Sequence, residues 1–145
     1  MKWTSLLFAM CLSGCDQLPR DVEGTTERIR QEQQFRVGLV SDHQQSDVRG
    51  QAFVRRVAEA TSARPIIETG AAEPLLTKLE EGSLDLVVGR MATKSPWRTR
   101  VHFLPELEGR AAAKRPVALT AMARNGENAW VSLLHRQAEA VAAEP

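Results

Sequence analysis

Arg90 follows an apolar run, and its side chain could hold a small anion. A guanidinium can grip a carboxylate through two parallel hydrogen bonds, which a lysine cannot. Between Arg90 and Arg115 there are seven Lys or Arg against two Glu. That excess reads as an anion-attracting rim or as a solvated loop facing water or anionic lipid. Trp97, beside Pro96, can wall a ligand or plug the loop from beneath. Asp42 and Thr69 each follow an apolar run and could reach the same place. Their plainer readings are an acidic turn residue and a strand terminus. Asp85 suits backbone hydrogen bonding better than chemistry. His43, His102 and His135 are scattered without metal-ligand spacing. Asp42-His43 with a nearby serine is no triad, because a triad is a geometry assembled in space. The chain has no Gly-x-Ser-x-Gly elbow, P-loop or Gly-x-Gly-x-x-Gly. These patterns argue against an enzyme and imply no cofactor or metal.

The arginines need an element to carry them. Leu84-Asp85-Leu86-Val87-Val88 has a single polar interruption, is too short for a helix, and lies between Gly82-Ser83 and Gly89. It predicts a strand buried on both faces, central in a parallel sheet whose ligands collect beyond the strands' carboxyl ends. Gly89, Arg90, Met91 and Ala92 then form the lip of a binding site. Upstream, Thr25 or Thr26 caps a helix through Gln33, and Phe35 to Val40 is the first strand. Gly50 to Ser62 is a helix with Phe53, Val54, Val57 and Ala58 on one face. Pro65 to Thr69 is the second strand, and Glu73-Pro74 starts a helix that buries Leu75, Leu76 and Leu79 and ends at Gly82. Strand, helix, strand, helix, strand makes two right-handed crossovers. Ser95 to Pro105 reads as irregular, with Val101 and Phe103 tucked inwards, and Glu106 to Arg115 as an exposed connector. Pro116 to Met122 is a further strand. Asn125 or Asn128 caps a last helix that turns Trp130, Leu133, Leu134, Ala138 and Val141 to the core. The expected class is α/β: three layers, with a mainly parallel sheet of about four strands and flanking helices.

At 145 residues, 43% hydrophobic and 26% charged, the composition is that of an ordinary globular domain. Lys2 is the only charge in the first fourteen residues, and the remainder balances 18 basic against 18 acidic. Nothing there calls for nucleic acid. Residues 1–14 read as a signal peptide too short to span a bilayer, residues 15–24 as a polar tether, and residues 25–145 as one domain. Leu12-Ser13-Gly14-Cys15 resembles the lipobox of bacterial lipoproteins. That resemblance implies cleavage before Cys15, diacylglycerol on its sulfur, and anchorage on the periplasmic side of a bacterial membrane. Asp16 resembles the signal that retains such proteins at the inner membrane. Cys11 would leave with the signal, so the mature chain carries neither free thiol nor disulfide.

Arg36-Val37-Gly38, the Leu75/Leu76/Leu79-Gly82 helix and Leu84-Asp85-Leu86-Val87-Val88-Gly89 together resemble the amino-terminal lobe of family 3 extracellular solute-binding proteins. These are the amino-acid receptors of ABC transporters of the importing kind. In that family an "LRVG" strand, an "L-x-x-L-x-x-G" helix and a "D-L-V-V-G-G-M" strand come in this order. The likeness runs from about Thr25 to Phe103 and resumes from Pro116 to Ala143. The family's second lobe lies between elements equivalent to Phe103 and Pro116, an interval of about a dozen residues here, far too few for a folded lobe. The resemblance therefore implies a single-lobe form, one wall of a pocket that a second lobe from another chain would complete. It also implies an amino acid or other carboxylate as solute and a transporter permease as partner. The family has a small residue where Arg90 stands, a serine or threonine where Ala92 stands, and its carboxylate-gripping arginine where Trp97 stands, one place before Arg98. A lipoprotein adaptor that works through protein contacts is the alternative.

Overall fold

The computed structural model describes residues 20–41, 47–109 and 115–144. Their helices are α1 (Thr25–Glu32), α2 (Val48–Thr61), α3 (Ala72–Glu80) and α4 (Asn128–Ala142). The strands are β1 (Gln34–Val40), β2 (Arg64–Gly70), β3 (Leu86–Ala92), β4 (Val101–Phe103) and β5 (Val117–Arg124), with a 3-10 turn at Pro96–Thr99. They form one sheet in the order β2-β1-β3-β5-β4. β2, β1 and β3 run parallel, β5 runs against β3, and β4 runs against β5. This is the expected α/β class, a mostly parallel sheet flanked by helices, with five strands. The additional strand is β4, where Val101 and Phe103 were expected in an irregular stretch. Three residues are too few to show a period, and pairing with Met122 to Arg124 makes them a strand.

β2 and β3 lie on either side of β1, so right-handed crossovers send α2 and α3 to opposite faces of the sheet. Two cores result. Phe35, Val37, Leu86, Val88 and Leu119 pack with residues of α1, α2 and α4, whereas Val87, Met91 and Met122 pack with Leu75, Leu76, Leu79 and Trp97. β3 feeds both cores alternately, which is why its sequence is an unbroken apolar run. Between α4 and β1, Trp130 meets Phe35 edge-on at 6.0 Å.

β3 begins at Leu86 and continues to Ala92. Gly89, Arg90, Met91 and Ala92 therefore lie within the strand, where a lip beyond its end was expected. The cause is β5, whose ladder extends to Ala92↔Val117. On the other side, the β1–β3 ladder stops at Leu39↔Val88. At the next level a Cβ on Gly89 would sit 2.5 Å from Val40 Cβ. Only a residue without a side chain lets the two strands approach there.

Capping also differs from expectation. Gly24 and Glu127 hold the N-cap positions of α1 and α4, and neither caps with its own side chain. The caps come from across the fold. The Glu127 carboxylate, 1% exposed, accepts from the N–H groups of Glu23 at 2.8 Å and Thr25 at 3.0 Å. Asp21 accepts from Thr26 N–H at 2.7 Å and from Trp130 N–H at 3.0 Å. Each anion thus sits where a helix start favours negative charge. The first half of the expected exposed connector is likewise held in place. Leu104 and Leu107 donate to the Ala121 and Leu119 carbonyls, both at 2.9 Å, and Leu107 is fully buried. Residues 110–114 lie outside the described residues.

Candidate functional site

The order β2-β1-β3 places a topological switch point between β1 and β3, where successive helices leave for opposite faces. In open α/β sheets a crevice opens there, beyond the carboxyl ends of the strands. β3 outruns β1 at this point, so Arg90 stands beside the end of β1 with no neighbouring strand on that side. Period-two alternation sends Arg90 to the face that carries α2 and Met91 to the face that carries α3.

Arg90 Nη2 donates to Asp47 Oδ2 at 3.0 Å and to Glu108 Oε1 at 2.5 Å, and Nη1 donates to Glu108 Oε2 at 3.3 Å. Asp47 is the N-cap of α2, its other oxygen accepting from Arg49 N–H at 3.2 Å. Glu108 also accepts from Leu119 N–H at 3.4 Å, and Arg115 lies 3.7 Å away. One guanidinium therefore ties β3, the start of α2 and the segment before β5. The hydrogen bond from Arg90, with that from Leu119 and the charges of Arg90 and Arg115, holds the Glu108 carboxyl below its ordinary value against the opposing effect of burial. The hydrogen bond to Glu108 in turn raises Arg90, aided by the charges of Glu108 and Asp47. The cluster thus gathers two carboxylates and a cation beyond the end of β1.

The other expected site residues are placed as follows. Gly89 is buried against Val40, and Met91 is 9% exposed within the α3-side core. Ala92 is exposed at the end of β3. Trp97 is 5% exposed and packs in the same core as Met91. Its indole N–H donates to Glu73 Oε1 at 2.9 Å, and Arg100 lies over its ring at 4.2 Å. Of its two readings, the packing plug is the one its surroundings match. Arg98 is exposed, donates from Nε to the Thr93 carbonyl at 2.8 Å, and stacks over Phe103 at 4.5 Å. Thr69 is exposed on β2, the strand at the sheet margin. Asp42 and Cys15 lie outside the described residues. The fold thus brings Arg90 together with Asp47 and Glu108, and puts Met91 and Trp97 on the opposite face.

Asp47 and Glu108 were not singled out from the sequence. An acid directly before a helix is a cap signal, and it was missed because α2 was expected to start at Gly50. Leu104 and Leu107 were the cue that the segment around Glu108 packs inwards.

Asp85 has the structural part expected of it. It accepts from Arg36 N–H at 2.8 Å and from Arg36 Nε and Nη2 at 3.1 and 2.8 Å, and Arg28 bonds it as well. Its carbonyl takes the Trp130 indole N–H at 2.8 Å. With Glu127 and Arg124 these groups line a pocket of about 70 Å³ at the opposite end of the strands. Solute pockets run to about 300–1,000 Å³, so this one holds a structural network. Among the described residues no three His, Cys, Asp or Glu converge as a metal set. No described helix is long and apolar enough to cross a membrane.

No protein-family model matches the chain, and no curated protein does. Solved structures do. Domain 1 of TmArgBP in its arginine-bound form superposes with a TM-score of 0.66 at 11% identity, over 78% of this chain and 97% of that one. This chain has the fold of one solute-binding-protein lobe. An ancestral cationic amino-acid solute-binding protein gives a TM-score of 0.63 at 12% identity, over 80% of this chain and 93% of that one. A mutant of ArgBP from T. maritima gives 0.62 at 9% identity, over 80% and 92%. At such identity the likeness is one of fold, and function has to be argued from the site.

Proposed function

We propose that this lobe is the substrate-binding component of a transport system, taking a small solute such as an amino acid or other carboxylate at the β1–β3 crevice. The observation that carries this reading is the charged cluster of Arg90, Asp47 and Glu108 at the switch point of a sheet shared with amino-acid-binding domains. A solute carboxylate would share the Arg90 guanidinium with Glu108, and a solute ammonium would meet Asp47. A lone lobe covers one side of the solute, so a second lobe from another chain or a transporter permease would close the site. The lipobox at Cys15 supports attachment to the periplasmic side of a bacterial membrane by lipid, and Asp16 supports the inner membrane.

The second reading, an adaptor lipoprotein acting through protein contacts, is favoured by one observation. Three hydrogen bonds from the Arg90 guanidinium already go to the chain's own carboxylates. Isothermal titration of the purified protein against a panel of amino acids and small carboxylates separates the two. The receptor reading expects saturable heat from at least one solute, lost in Arg90→Ala and retained in Arg98→Ala if the crevice is the site. No heat with any solute favours the adaptor.

A further inference from the structure

β2 closes one margin of the sheet, and among the described residues it pairs only with β1. The ladder shows which of its backbone groups are engaged. Arg64 N–H donates to the Gln33 carbonyl at 3.0 Å, and the Gly70 carbonyl accepts from Ser41 N–H at 2.9 Å. Backbone groups two residues apart in a strand point the same way. Arg64, Ile66, Glu68 and Gly70 therefore bond to β1, while Pro65, Ile67 and Thr69 turn their groups outwards. Pro65 has no N–H, so this margin offers the Ile67 and Thr69 donors and the carbonyls of all three. Natural sheet margins are commonly defended by a central charge. Here the centre holds Ile66 and Ile67, one to each face, 47% and 51% exposed.

We propose that this margin pairs with the β2 of a second copy of the chain, antiparallel, about a two-fold axis at Ile67. Three registers are open to a two-fold pairing at the centre of the strand, and their chemistry differs. An axis at Ile66 sets each Pro65 opposite Ile67 of the other copy and leaves two hydrogen bonds. An axis at Glu68 allows four but sets the two Glu68 carboxylates directly opposite each other, which opposes pairing. An axis at Ile67 also allows four. The two Ile67 residues exchange N–H and carbonyl, and each Thr69 N–H reaches the Pro65 carbonyl of the other copy, where the proline needs no donor. In that register the Ile67 side chains stand side by side on one face. On the other face each Ile66 stands opposite Glu68 of the second copy and diagonal to its Ile66, and Arg64 lies diagonal to that Glu68. Arg64 has no ion-pair partner among the described residues, and its charge complements that acid, which Lys78 of its own chain also bonds at 2.8 Å. The contact is small, so association is weak. The crevices of the two copies then open in opposite directions.

Sedimentation of the purified chain from micromolar to millimolar concentration tests the pairing. The expected result is a concentration-dependent rise from the monomer mass towards twice that value. Ile67→Pro removes an N–H that β1 does not use, so the thermal midpoint should hold while the dissociation constant rises at least about tenfold, close to 1.4 kcal/mol. Arg64→Glu should weaken the dimer, and the double variant Arg64→Glu/Glu68→Arg should restore it. The second pair of variants decides the matter if the proline variant does not fold. A wild-type chain that stays monomeric throughout, or a dimer indifferent both to Ile67→Pro and to the charge reversal, overturns the proposal.

Discussion

Alanine at position 89 would put a methyl carbon 2.5 Å from Val40 Cβ and 2.6 Å from its Cγ2, both on a strand held from its other side by β2. Neither strand can move without breaking a ladder, so Gly89→Ala should cost about 1–3 kcal/mol, read as a lower thermal midpoint. Arg90 makes a different kind of prediction, because its contribution depends on pH. The Arg90 hydrogen bond holds the Glu108 carboxyl below its ordinary value. A carboxyl lowered in the folded state contributes stability that is complete above its unfolded pKa, about 4.3, and is lost as pH falls through the lowered folded value. Wild type should therefore exceed Arg90→Ala most at neutral pH. The gap in urea midpoint should shrink as pH drops below about 4. A gap that stays constant with pH would mean that Arg90 acts through packing alone. That Arg90 could matter was legible from its place after a buried strand. That Asp47 and Glu108 would neutralise it was not, because they lie 43 and 18 residues away in segments whose local patterns read as a loop and an exposed connector.

The starts of α1 and α4 depend on carboxylates that belong to neither helix interior. Glu127 joins the first turn of α1 across about a hundred residues of chain, and Asp21 bonds both helices. Glu127→Ala would leave the N–H groups of Glu23 and Thr25 without these partners. The expected loss is about 2–3 kcal/mol, measured as a fall in urea midpoint. The same substitution at Glu139, exposed on α4, should be nearly neutral. Asp85→Ala should cost a similar amount, about 2–3 kcal/mol, because it strips Arg36 of three hydrogen bonds. Arg36 and Arg28 keep 38% and 29% side-chain exposure, so water can recover part of that loss. Helix positions themselves were readable from apolar spacing. The caps were not, because a threonine or asparagine at the helix start is the usual acceptor of such a bond, and here each helix also uses an acid from far along the chain, Glu127 for α1 and Asp21 for α4.

At the scale of the whole molecule, β2 forms one margin of the sheet and the β1–β3 switch point lies at the strand ends, so the two proposals occupy different surfaces. Solute titration and sedimentation can therefore succeed or fail independently. By itself the sequence determined the α/β class, the order of the elements other than β4, and the central buried strand. These depend on hydrophobic period and glycine placement, which act over a few neighbouring residues. Only the tertiary structure decided that β3 runs on through Ala92, that β4 is a strand, which face Arg90 takes, and which acids meet it. Each of those outcomes is a contact between segments far apart in the chain, and a local pattern holds no record of its distant partner.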